Sequence, residues 1–149
     1  MYHPAEDQQQ LLASWRWLLG GRPTLLGWSS SGDLFVAQPT GIVQRIDTAY
    51  GALEPVAESR AEFDQVLEDP EVVWELCLMP VVRQFEDEHG PLLDDECLGF
   101  ITLPILGGTY AADNRCRVSI GEHAAFTGDL HSRLRDLPDG SPVRLRIVP

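Results

Sequence analysis

The densest grouping of chemically capable side chains is the acidic tripeptide Asp94-Asp95-Glu96, preceded by Glu86-Asp87-Glu88 and His89. Carboxylate oxygens are hard ligands, so such a cluster suits Mg²⁺ or Ca²⁺, or a carboxylate-assisted reaction. Adjacent residues rarely converge on one ion without partners, however, and the spaced Asp/Asn and Gly pattern of a calcium-binding loop is missing. A solvated acidic loop is the reading favoured, with no metal and no cofactor expected. His123 and His131 stand eight apart, which on a helix places them on one face but about 12 Å apart along the axis, too far to share an ion. Each reads as a surface histidine or a satisfied core histidine. Cys97 directly follows three carboxylates that disfavour its thiolate, so it reads as a small buried residue rather than a nucleophile. No G-x-S-x-G elbow, phosphate-binding glycine loop or S-x-x-K motif occurs, and no catalytic residue is assigned.

The surrounding composition narrows the function classes. With 149 residues and 44% apolar content, one domain spanning 1–149 with a sizeable core is expected. Three cysteines without paired short spacings argue against a disulfide framework and for a reducing, cytoplasmic setting. The N-terminus lacks the basic-then-apolar pattern of a secretory signal, and no run approaches a membrane span. Twenty-three acidic against eleven basic residues leave a net charge of −12. Such a surface repels nucleic acid and anionic lipid and attracts basic partners. Every basic residue is arginine, a bias from which no mechanism follows.

The elements that must position these groups can be read from periodicity and turn chemistry. Leu11, Leu12, Trp15, Leu18 and Leu19 form one apolar stripe, predicting a helix closed by Gly20-Gly21. From Leu25 to about Val56, apolar runs alternate with Ser31-Gly32-Asp33, Pro39-Thr40-Gly41 and Tyr50-Gly51, predicting a meander of three or four antiparallel strands. Ser59-Arg60-Ala61-Glu62 matches a capping box, and Asp69-Pro70 marks a second helix start. Val72, Val73, Leu76 and Met79 would continue the buried face until Pro80 divides that helix. Glu86, Asp87 and Glu88 then oppose the dipole at a helix C-terminus. Strands around Leu98–Ile101 and Val118–Ile120, a helix near Glu122–Arg135, and a closing strand Val143–Val148 complete the pattern. Blocks of strands and helices argue for an α+β fold: a largely antiparallel sheet with an N-terminal β-meander and helices packed on one face.

Two features remain open. Leu103-Pro104-Ile105-Leu106-Gly107-Gly108-Thr109-Tyr110 is either an apolar loop closing the core, with Gly107-Gly108 at positive φ, or a partly exposed hydrophobic patch for a partner. Of the four tryptophans, Trp15, Trp28 and Trp74 fall on core-facing stripes. Trp17 lies off its helix stripe and is either a flank residue or an exposed interface anchor.

Taken in order, Trp15-Arg16-Trp17-Leu18-Leu19-Gly20, Gly32-Asp33-Leu34-Phe35-Val36, Gly41-Ile42-Val43, Asp47-Thr48, Gly51-Ala52-Leu53, Glu62-Phe63, Gly99-Phe100, Pro104-Ile105-Leu106-Gly107-Gly108-Thr109-Tyr110, Asn114 and Leu137-Pro138-Asp139-Gly140 form a series. This series resembles the C-terminal domain of type VI secretion immunity proteins of the Tdi kind, often attached to a GAD-like domain. The G-D-L-F and P-x-L-G-G-x-Y elements carry most of it, through Gly32, Asp33, Phe35, Pro104, Leu106, Gly107, Gly108 and Tyr110. The resemblance implies a cytoplasmic antitoxin that neutralises a cognate secreted effector, in the best-known members a DNase, without catalysis. The GAD-like half is expected to be absent, which leaves open whether it is needed in trans.

An effector-binding protein is therefore expected, meeting a basic toxin through Glu86, Asp87, Glu88, Asp94, Asp95, Glu96 and Trp17, and monomeric or weakly dimeric when free. Two other classes stay in view: an enzyme with a carboxylate or metal-assisted site around Asp94, Asp95, Glu96 and His89, and a scaffold that self-associates through Ile105-Leu106-Gly107-Gly108.

Overall fold

Apolar runs broken by turn residues build the first half of the chain into one antiparallel sheet. In the computed structural model, which describes residues 1–145, this sheet holds β1 (Tyr2–Pro4), β2 (Thr24–Ser29), β3 (Leu34–Ala37), β4 (Val43–Asp47) and β5 (Ala52–Ala57), in chain order. The turns fall at the glycine-containing segments, as turn chemistry requires. Sequence pattern did not announce β1, a three-residue strand ending in proline. It is held at the sheet edge, where a missing N–H donor does no harm. Tyr2 anchors it, meeting Phe35 and Phe63 edge-on at 5.5 and 5.7 Å.

Register assigns the two faces. Leu34 lies opposite both Trp28 and Ile46, and Val36 opposite Leu25, so these five share a face. A 3-10 helix, Gln9–Trp15, and the long C-terminal helix close over it. On the other face Phe35, Leu26 and Val43 pack with Ala57 and Phe63. The first helix is thus shorter and tighter than its apolar stripe predicts. It has no side-chain cap, and Leu18 and Leu19 fold back onto the Trp15 carbonyl instead of extending it.

The middle helices begin where their caps place them. Ser59 accepts from the Glu62 amide to start α1 (Arg60–Glu68), while the Glu62 carboxylate returns to the Glu58 amide. Asp69 caps α2 (Pro70–Leu76), with Pro70 in its first turn. Pro80 lies in the first turn of α3 (Met79–His89), so it starts a helix after a break at Cys77-Leu78. One expectation fails here. No residue of α2 is buried, Val72 and Trp74 are 40% and 43% exposed, and Trp74 is not a core residue. Val73 and Leu76 rest half-buried on the two smaller core clusters, while Val72 and Trp74 lie on the outward side of this short helix.

A second, two-stranded antiparallel sheet pairs β6 (Glu96–Phe100) with β7 (Arg115–Ser119), leading into α4 (Ile120–Leu134), capped by Ser119. Leu98 N–H donates to the Ser30 carbonyl, which ties this pair to the main sheet. The closing strand expected over Val143–Val148 falls partly outside the described residues, and 143–145 form no strand. The architecture is α+β with an N-terminal antiparallel meander. Among the described residues no helix is long and apolar enough to cross a membrane.

α4 and the 3-10 helix approach so closely that a Cβ on Gly128 would stand 2.5 Å from the Ser14 carbonyl oxygen. On an exposed helix Gly→Ala stabilises by about 1 kcal/mol. Here overpacking, about 1–3 kcal/mol, should outweigh that gain, so Gly128→Ala is expected to lower the denaturation midpoint. A midpoint at or above wild type would mean that the two helices slide apart freely.

Candidate functional site

The turn after β2 and the end of β4 assemble a buried polar knot beneath α4. Asp33, 6% exposed, accepts at Oδ1 from the Thr48 amide at 3.1 Å and from the Thr48 hydroxyl at 3.4 Å. Two histidines of α4 close on the same threonine: His123 Nε2 lies 2.9 Å from Thr48 Oγ1, and His131 Nε2 lies 2.9 Å from the Thr48 carbonyl. Both are satisfied core residues, and one face of one helix carries both to a single residue. The G-D-L-F element thereby gains a physical meaning. A Cβ on Gly32 would stand 2.6 Å from His123 Nε2, so glycine leaves room for the ring.

Threonine, histidine and aspartate within reach of one another invite comparison with a nucleophile–base–orienter triad. The donor roles oppose it. The single Thr48 proton is shared between the Gly32 carbonyl at 2.9 Å and, more weakly, Asp33 Oδ1 at 3.4 Å, which leaves His123 Nε2–H as the donor to Thr48 Oγ1 and not the base that takes its proton. Asp33 orients Thr48, not the imidazole, and Thr48 is 2% exposed. Burial drives both titrations away from their usual ranges. Desolvation, with the field of Asp47, raises Asp33 to about 7 against the opposing pull of Arg45. Desolvation lowers His123 to about 4.

Beside the knot is a cavity of about 180 Å³, bounded by β4, by β6 and by the break between α2 and α3. Asp33, Arg45 and Asp47 reach it from the meander, Leu98, Gly99 and Phe100 from β6, Tyr110 from the loop before β7, and Arg115 from the first position of β7. Asp33 and Tyr110 come from the two motif elements that carry the resemblance, and the fold brings them to one space. Tyr110 stands edge-on to Phe100 at 5.0 Å, and burial pushes its hydroxyl up to about 12. The rest of that loop divides. Pro104 is buried, Leu106 half-buried and Ile105 exposed, so the stretch is part core plug and part surface. Gly107 takes the positive φ, 92°, that ends the turn Pro104–Leu106. Gly108, expected at positive φ as well, answers a different need: a Cβ there would lie 1.8 Å from the Thr102 carbonyl oxygen.

The acidic segment separates into structural and free members. Glu86 accepts from the Leu92 amide at 3.0 Å, and Glu96 accepts from the Leu93 amide and pairs with Arg117 at 3.3 Å. With Asp94 they border a cleft of about 150 Å³ that also holds His3, Met79 and Arg83. Asp87, Asp94 and Asp95 are exposed and make no ion pair among the described residues, while Glu88 faces only His89, at 3.8 Å. Trp17 is not grouped with them. Its indole N–H donates to the carbonyls of Ser14 and Gly128, and the Arg135 guanidinium lies over its ring at 5.4 Å. It borders a broad groove of about 740 Å³ with Tyr50, Ile105 and Leu137. One exposed aromatic that periodicity placed in the core is Trp74, beside Glu71 and Glu75.

Cys97 is fully buried, and burial raises its thiol far above the ordinary range. Among the described residues no three His, Cys, Asp or Glu side chains are arranged to hold a metal ion.

Residues 57–131 match the model of the family described as T6SS immunity protein Tdi1, C-terminal. No curated protein matches the chain. Among solved structures, the crystal structure of Atu4351 from Agrobacterium tumefaciens is similar in fold, with a TM-score of 0.62 at 15% sequence identity. The similarity covers 86% of this chain and 66% of that one.

Proposed function

The chain belongs to the family of the T6SS immunity protein Tdi1, C-terminal domain, and from that premise we propose that it neutralises a cognate secreted effector by binding it, without catalysis. The effector is a basic protein of the nuclease kind, met in the cytoplasm. The observation that carries this reading is α2. It buries none of its own residues and turns Val72 and Trp74 outward between Glu71 and Glu75. A tryptophan held outward among carboxylates is the composition of an interface anchor for a basic surface. The free carboxylates Asp87, Glu88, Asp94 and Asp95 supply long-range attraction, which raises association rate more than affinity.

The test starts with capture of partners from a lysate of the source organism, identification by mass spectrometry, and expression of the captured effector with and without this chain. Restored growth on co-expression is expected. With the purified pair, Trp74→Ala should weaken affinity by about 30-fold or more, mainly through faster dissociation. Replacing Asp87, Glu88, Asp94 and Asp95 by Asn or Gln should slow association about tenfold at low salt and flatten its salt dependence. An effector that is neutralised equally by both variants would remove these surfaces from the interface.

A further inference from the structure

We propose that the 180 Å³ cavity beside Asp33 is a socket for an alkylammonium or alkylguanidinium group, with the cationic head at Asp33 and the apolar stem between Leu78, Val81, Phe100 and Tyr110. Its size lies below the roughly 300–1,000 Å³ of drug-sized pockets and suits a ligand no larger than one side chain. Both Asp33 hydrogen bonds fall on Oδ1. Oδ2 makes none among the described residues, and its nearest cation, Arg45 Nη1, stands 3.9 Å away. A nine-tenths buried carboxylate with one oxygen unbonded at a cavity wall is an acceptor awaiting a donor.

The arginines at the wall are occupied by other partners and are not left to hold an anion. Arg45 is engaged by Glu54 and the Leu76 carbonyl, and Arg115 by the Tyr110 carbonyl and Gln84. Asp47 adds a second carboxylate at the wall, so a cationic head meets acceptor oxygens there. The opposite wall is apolar, as a stem requires. It includes Leu78, the one non-glycine residue at positive φ among the described residues, at 49°. Left-handed backbone at a bulky residue is an uncommon conformation that clusters at ligand sites.

The socket rests on this cavity alone and stands or falls apart from the effector reading. Its test is an amide-resolved NMR titration of the full chain at pH 8, where Asp33 is ionised, with n-propylguanidine and n-butylamine, and with n-butanol as the neutral comparison. The cations are expected to perturb Gly32, Thr48 and Gly99 with millimolar affinity, and butanol at least about tenfold more weakly. Asp33→Asn should weaken cation binding at least about tenfold. Val81→Phe, which fills the cavity from α3 with Asp33 intact, should abolish it. Equal response to cations and butanol, or cation binding unaffected by either variant in folded protein, overturns the proposal. Competition separates the two sources of the ligand: a probe that weakens effector binding identifies an effector Arg or Lys side chain as occupant, and one that does not identifies a free small amine or guanidine.

Discussion

Asp33→Asn should convert a protein whose stability varies little between pH 4 and 7 into one that weakens steadily as acid is added. Two buried groups of the same knot titrate in opposite senses. Asp33 is raised from 3.8 to about 7, so the folded state holds a proton that the unfolded chain has released. Its contribution is full at low pH and lost as pH rises to about 7, a change of about 4 kcal/mol. His123 is lowered from 6.5 to about 4, so the folded state refuses a proton that the unfolded chain accepts. Its contribution is full above about 6.5 and lost as pH falls to about 4, a change of about 3 kcal/mol. Burial lowers His131 and His3 as well, which pulls the same way as His123.

In the wild type the opposing slopes largely offset each other. Asparagine keeps the acceptor for the Thr48 amide and removes one titration, which exposes the histidine slope. Chemical denaturation at pH 4, 5, 6 and 7 should then show a fall of about 3 kcal/mol in the variant, and a gain over wild type at pH 8, where the native carboxylate is charged and buried. Parallel profiles for the two proteins would mean that Asp33 titrates near its solution value.

Trp15→Ala should be the most damaging single truncation, costing about 3–5 kcal/mol. Trp15 is fully buried where the 3-10 helix, the sheet and α4 meet, and its indole N–H donates to the Ala124 carbonyl at 3.0 Å. It also stacks on Trp17 at 5.9 Å and lies 5.7 Å from the His131 ring. Truncation leaves a void at a junction that cannot collapse, because Gly128 already brings the two helices to contact. For a domain of this length such a loss should lower Tm by roughly 10 °C or more. A shift of only one or two degrees would show that the 3-10 helix is loosely attached.

Local signals account for what the sequence determined by itself. Ser59-x-x-Glu62 and Asp69-Pro70 start helices because a cap and its amide lie within three residues of one another, and the turn glycines shape the meander for the same short-range reason. The apolar run of β3 and the burial of Cys97 were legible too, as was the ordered series of motifs, which spans the chain and points to the immunity family. Tertiary structure alone decided where distant parts meet. His123 and His131 find Thr48, 75 and 83 positions away; Asp33 and Tyr110 reach one cavity; Tyr2 pulls a short edge strand onto Phe35. A helix stripe likewise states which side is apolar, not whether anything covers it. Trp15 and Trp74 lie on equally plausible stripes, yet one is fully buried by α4 and the other faces solvent, because packing layers form between segments far apart in the chain.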